Sequence, residues 1–184
     1  MQRDQRIARA VSQFRSRARN RAFTLVEMMI VVAIVGVLAV IAVVSYRKLT
    51  LSAKVSEAQN MISAIRIAQE SYKVERGTYA DLTAAPWCPT DGMAQAKTDW
   101  YTAPCTAWLA LPVHVDGPVR FGYKTQAGLG GTAPTSAWVT MPTATIGPWY
   151  VIQAQADLDG NAGLVTELVG TSFENTIFSR QEGL

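Results

Sequence analysis

Glu27 is the residue of this 184-residue chain whose surroundings call for a chemical partner. It precedes Met28–Val44, 17 consecutive residues drawn from Ala, Val, Ile, Leu and Met and interrupted only by Gly36. A carboxylate in a membrane helix costs up to about 2.5–3.5 kcal/mol at the bilayer centre and less near its edge. A buried charge therefore needs a countercharge. No Lys or Arg lies between Phe23 and Val44 to supply one. An α-amino group exposed by a cut just before the apolar run would serve.

The remaining candidates for chemistry are few. Cys88 and Cys105 are the only cysteines. Their spacing does not fit a CxxC metal or redox motif. In a translocated domain an even count favours a disulfide closing a loop of roughly 18 residues, stabilising by about 3 kcal/mol. Two free thiols are the alternative. Asp157-Leu158-Asp159-Gly160-Asn161 places oxygen ligands at alternate positions, as in the first part of a calcium loop. Eleven places after Asp157 stands Leu168, with Glu167 one short, so the match is partial. A hairpin turn explains Asp157, Asp159 and Asn161 equally well, and calcium is the one cofactor the chain suggests. His114 is the single histidine and falls in a strand pattern. No G-x-S-x-G, H-E-x-x-H or P-loop pattern occurs. Gly128-Leu129-Gly130-Gly131-Thr132-Ala133 superficially fits a dinucleotide loop, but Pro134 follows and no helix begins there. These absences predict no catalytic residue and no enzymatic activity.

The elements that position these residues divide the chain into unlike pieces. Seven arginines in the first 22 positions, opposed only by Asp4, carry +6. Residues 23–76 carry +2 and residues 77–184 carry −5. All eight prolines and all five tryptophans lie after residue 85. Phe23–Val44 spans roughly 33 Å as a helix, enough to cross a hydrocarbon core of about 30 Å. A buried core helix is the competing reading, but nothing else in the chain is large enough to wrap it. The arginines ahead of it, against Arg47 and Lys48 behind, predict a cytoplasmic N-terminus and a translocated head. The same arginines could pass for a nucleic-acid arm, yet ahead of a span they read as a topology signal, so no nucleic-acid partner is expected. The apolar run is longer than a secretory signal's, and no convincing A-x-A pattern follows it. The span is therefore expected to be kept.

Arg21-Ala22-Phe23-Thr24-Leu25-Val26-Glu27-Met28-Met29-Ile30 resembles the processing site of type IV pilins and related pseudopilins. The resemblance implies that a membrane-embedded prepilin peptidase cuts between Ala22 and Phe23 and that Phe23 becomes N-methylated. It also implies that Glu27 pairs with the Phe23 amine of a neighbouring subunit during assembly, and it matches Gly36 to a family glycine. Two departures stand out: Ala22 replaces the usual Gly before the cut, and no proline occurs near Val44.

From Ser45 onward Val55, Ala58, Ile62, Ile65, Ala68 and Tyr72 recur at helical spacing, and Gly77 supplies a stop. One helix over 23–76 is predicted, apolar over 23–44 and amphipathic over 45–76. Extended segments are expected at Val113–Val115, Val119–Lys124, Ala137–Met141, Trp149–Ala156 and Leu164–Leu168. The expected organisation is a leader over 1–22, the helix, a loop over 77–108 holding the cysteines, and a sheet region over 109–184. This predicts an α+β fold, a long helix packed on an antiparallel sheet of four or five strands, which is also the family's fold.

The resemblance implies a structural subunit, stored in the bacterial inner membrane with a periplasmic head and then polymerised into a surface filament. Its expected partners are identical or related pilin subunits, the prepilin peptidase and the inner-membrane assembly machinery. A minor pilin and a type II secretion pseudopilin are near alternatives. A membrane-anchored domain that never polymerises is the alternative of another class.

Overall fold

A computed structural model describes residues 23–93, 95–100, 105–136, 138–160 and 165–181. The expected leader, with Ala22, lies outside them, as do Ala137, Asn161 and Leu164. The chain divides into two units, residues 1–43 and 44–184.

The first unit contains the start of α1 (Leu25–Arg76), a helix of 52 residues. It begins two residues later than the pattern predicts, because Thr24 caps it. The Thr24 hydroxyl accepts the Glu27 N–H at 3.2 Å and the Thr24 carbonyl accepts the Met28 N–H at 3.2 Å. Every residue from Leu25 to Val43 is exposed.

The second unit is the rest of α1 and the head. Here α1 acquires a buried stripe of Val55, Ala58, Met61, Ile62, Ile65, Ala68 and Gln69. Tyr72, expected on that stripe, is only half-buried. The helix stops where Gly77 adopts φ +78° and donates its N–H to the Lys73 carbonyl at 2.8 Å, the left-handed ending for which glycine is suited. The chain then folds back over the last turns. Gln69 is fully buried; its amide donates to the Ala80 carbonyl (3.0 Å) and the Thr125 hydroxyl (3.1 Å), and its oxygen accepts the Ala80 N–H (2.9 Å).

The head carries a 3-10 helix (Thr106–Ala110) and four antiparallel strands in the order of the chain: β1 (Gly122–Gly128), β2 (Trp149–Ala156), β3 (Thr166–Thr171) and β4 (Ile177–Arg180). This is the α+β pilin fold. Alternation decides the two faces of the sheet. Tyr123 on β1, Tyr150, Ile152, Ala154 and Ala156 on β2, and Leu168 on β3 share one core with the helix stripe. The helix packs tightly on the sheet at Gly170, where a Cβ would meet Ile62 Cγ2 at 2.7 Å. On the opposite face Trp149, Val151 and Val169 form a second cluster covered by Trp138, Val139, Met141 and Phe178.

Four expected strands differ from those observed: the segment expected at Leu164–Leu168 is β3, which runs on to Thr171 against β2, and the other three differ more. Val119 and Phe121 are buried as the alternation predicts, but β1 starts only at Gly122. Ahead of it Val119 bridges Thr98, and the Arg120 N–H is taken by Glu57 at 2.8 Å, so neither pairs with β2. Val113–Val115 forms no strand, since the Val113 N–H turns back to the Leu111 carbonyl at 2.7 Å. Residues 138–141 lie over the outer cluster, with the Val139 N–H bonded to Ser136 Oγ in a local turn.

Candidate functional site

The candidate site is the start of α1, where Phe23, Glu27 and Gly36 are placed. Phe23 precedes the helix and is 70% exposed. Glu27 occupies the third helical position, the acidic residue of the first turn. Threonine at the cap with glutamate three residues on is the sequence form of a capping box, a signal carried by Thr24-Leu25-Val26-Glu27. The positive end of the helix dipole favours a carboxylate there. That local role fixes where Glu27 stands, and it leaves the carboxylate without a cationic side chain in its own segment. Gly36 has open space around it: a Cβ would meet nothing within 4 Å. No packing within one chain demands glycine at that position.

An 18-residue window of α1 reaches a mean hydropathy of 3.0 with none of it buried. Val31, Leu38, Val40 and Ile41, among others, are between 46% and 67% exposed. A helix apolar on all sides is buried in a membrane or in a large assembly. The start of α1 thus presents a hydrophobic rod with one carboxylate near its tip.

Residues 17–43 match the family described as the prokaryotic N-terminal methylation motif. The chain is 46% identical over 72 residues to the type IV major pilin protein PilA of Myxococcus xanthus, covering 39% of this chain and 32% of that protein. It is 46% identical over 56 residues to a fimbrial protein of Pseudomonas aeruginosa, covering 30% of this chain and 36% of the relative. A third relative, the fimbrial protein EcpC of Eikenella corrodens, is 39% identical over 67 residues, or 36% of this chain and 44% of that protein. Over its N-terminal part the chain is similar to type IV pilins. It spans less than half the length of each of these three relatives. No solved structure matches it.

The other candidate residues of this chain lie in the head, away from the N-terminal segment in sequence. Cys88 and Cys105 form a disulfide, with Cα atoms 5.6 Å apart. Cys88 also bridges Tyr123 at the start of β1, so the bond ties the loop to the sheet. Asp157 is buried, and its carboxylate accepts the Gly160 N–H at 2.7 Å, an Asx turn closing the chain after β2. Its N–H is bonded to the Gly92 carbonyl at 2.8 Å. Asn161, the third of the expected oxygen ligands, lies outside the described residues. Among the described residues no three acidic, His or Cys side chains come together as a metal site. His114 pairs with Asp116 at 3.0 Å on the surface.

Proposed function

We propose that this chain is a prepilin, cut between Ala22 and Phe23, N-methylated at Phe23 and polymerised through its apolar helix into a type IV pilus serving motility and adhesion. Before assembly it is held in the inner membrane, N-terminus cytoplasmic and head periplasmic. The observation that carries this reading is the continuous exposed apolar surface of residues 25–43 beside Glu27. Lipid satisfies that surface during storage, and the same segment of neighbouring subunits satisfies it in a filament. The names of the M. xanthus and P. aeruginosa relatives support a pilus subunit over a secretion pseudopilin.

Glu27 gives the assembly its register. Uniformly apolar rods can slide along one another at little cost, whereas a carboxylate in apolar surroundings is satisfied only opposite a cation. The Phe23 α-amino group released by the peptidase is that cation, and it belongs to a neighbouring subunit. Glu27→Ala is expected to leave cleavage and methylation intact and to lower recovery of the chain in sheared fibres at least about tenfold, a loss of about 1.4 kcal/mol per subunit joined. Fibres forming at the normal level from Glu27→Ala would refute the pairing. A normally processed chain that never enters fibres, with Glu27 present, would favour the anchored, non-polymerising alternative.

A further inference from the structure

The outer face of the sheet, turned away from α1, holds a groove. Its floor is Gln153 and Gln155 of β2 with Glu167 and Val169 of β3, and its walls are Trp87 and Trp138. Register explains the floor: Gln153 lies opposite Val169 and Gln155 opposite Glu167, so all four point away from the helix. Rigid paired strands therefore set the spacing of the groups lining it.

The groups in this groove are aromatic, amide and carboxylate, and several lack partners. Among the described residues the Gln153 amide makes no hydrogen bond, and neither does the indole N–H of Trp87 or Trp138. Glu167 is paired through one oxygen only: Arg180 Nε and Nη2 both bond Oε2, at 2.9 and 2.7 Å. Arg180 also lies over the Trp138 ring, 5.1 Å from its centroid. Trp87, half-buried, makes no ring contact among the described residues and offers a free aromatic face.

We infer that this groove binds a neutral sugar, one hexose unit seated between Trp87 and Trp138 over Gln153. The chemistry selects that class in three ways. An indole face takes the apolar C–H side of a pyranose ring, while its N–H reaches a hydroxyl at the ring edge. An unpaired amide both donates and accepts, as vicinal hydroxyls require. The Arg180–Glu167 pair cancels its own charge, so nothing in the floor rewards an ionic ligand, whereas the free Glu167 oxygen still accepts a hydroxyl proton. A pocket mostly apolar with a few fixed polar groups is the usual form of a small-molecule site.

The test is saturation-transfer NMR on the full chain in a detergent without a sugar headgroup. The methyl glycosides of glucose, galactose, mannose and N-acetylglucosamine are the probes, with sialic acid, a proline-rich peptide and adenosine monophosphate alongside. At least one neutral glycoside is expected to bind with a dissociation constant on the order of 1 mM, the strength usual for so few atoms. Trp87→Ala and Gln153→Ala should each weaken it about tenfold without moving the unfolding midpoint. Binding of none of the four glycosides overturns the inference. So does binding untouched by both substitutions, or binding only of the peptide, the nucleotide or the acidic sugar.

Discussion

At the scale of single residues, three side chains of the second unit do more than their positions in the pattern suggest. Gln69 sits on the buried stripe of α1 where the 3.6-residue period asks for an apolar residue, and it holds residue 80 and β1 to the helix through three hydrogen bonds. Gln69→Leu keeps the volume but leaves the Ala80 N–H and carbonyl without partners. Each orphaned buried group costs about 1–3 kcal/mol, so a stability loss of about 2–4 kcal/mol is expected in denaturant unfolding followed by tryptophan fluorescence. An unchanged midpoint would show that the network is dispensable. Tyr150 and Tyr79 meet edge to face at 4.7 Å, and burial pushes the Tyr150 phenol up to about 12. Burial and then the Glu70 carboxylate, which accepts the Tyr79 hydroxyl at 2.8 Å, push Tyr79 up as well. Both phenols are favoured neutral in the fold, so their contribution is complete below pH 10.0, the unfolded value, and is lost as pH rises through the folded one. Stability should hold to about pH 10 and fall toward pH 12, with phenolate absorbance lagging that of the unfolded chain. A phenolate titration matching that of the unfolded chain would contradict the burial account.

Among elements, what was legible in the sequence follows from how strongly each one obeys a single period. The helix was legible almost to the residue, because an apolar run, an amphipathic stripe and Gly77 agree; the Thr24 cap alone shifts its start, to Leu25. The strand β2 was legible at both ends because Tyr150, Ile152, Ala154 and Ala156 alternate without interruption. Legibility failed where a segment's backbone partners are loops or where the segment is too short to show a period. Arg120 bonds the helix instead of a strand, and β4 is four residues long with Ile177 and Phe178 adjacent. The loop before the sheet depends on long-range contact of the same kind. At Gly92, φ is +78° and a Cβ would lie 2.0 Å from the Gln155 carbonyl oxygen, a closeness invisible in local sequence. The Cys88–Cys105 bond holds the loop in that place. Replacing both cysteines by serine should cost about 3 kcal/mol in the same unfolding assay while leaving α1 helical by circular dichroism. If reduction leaves the midpoint unchanged, the bond is not what keeps the loop on the sheet.

On the scale of the whole molecule, the candidate site was legible because its signal lies in order along the chain: arginines, small residue, Phe-Thr-Leu-Val-Glu, apolar run. The outer groove was not, because Trp87, Trp138, Gln153 and Glu167 are brought together only by the sheet. Charge changes meaning as well. With residues 1–22 the chain carries +3, and without them ten basic residues face thirteen acidic ones, a net charge of −3. Under the proposed processing the basic character leaves with residues 1–22, and the working subunit is acidic. Mass spectrometry of the N-terminal peptide of this chain, recovered from fibres sheared off the cell surface, tests the account most directly. The account predicts a peptide beginning at Phe23 with one added methyl group. A chain found only in membranes and still carrying residues 1–22 would contradict it.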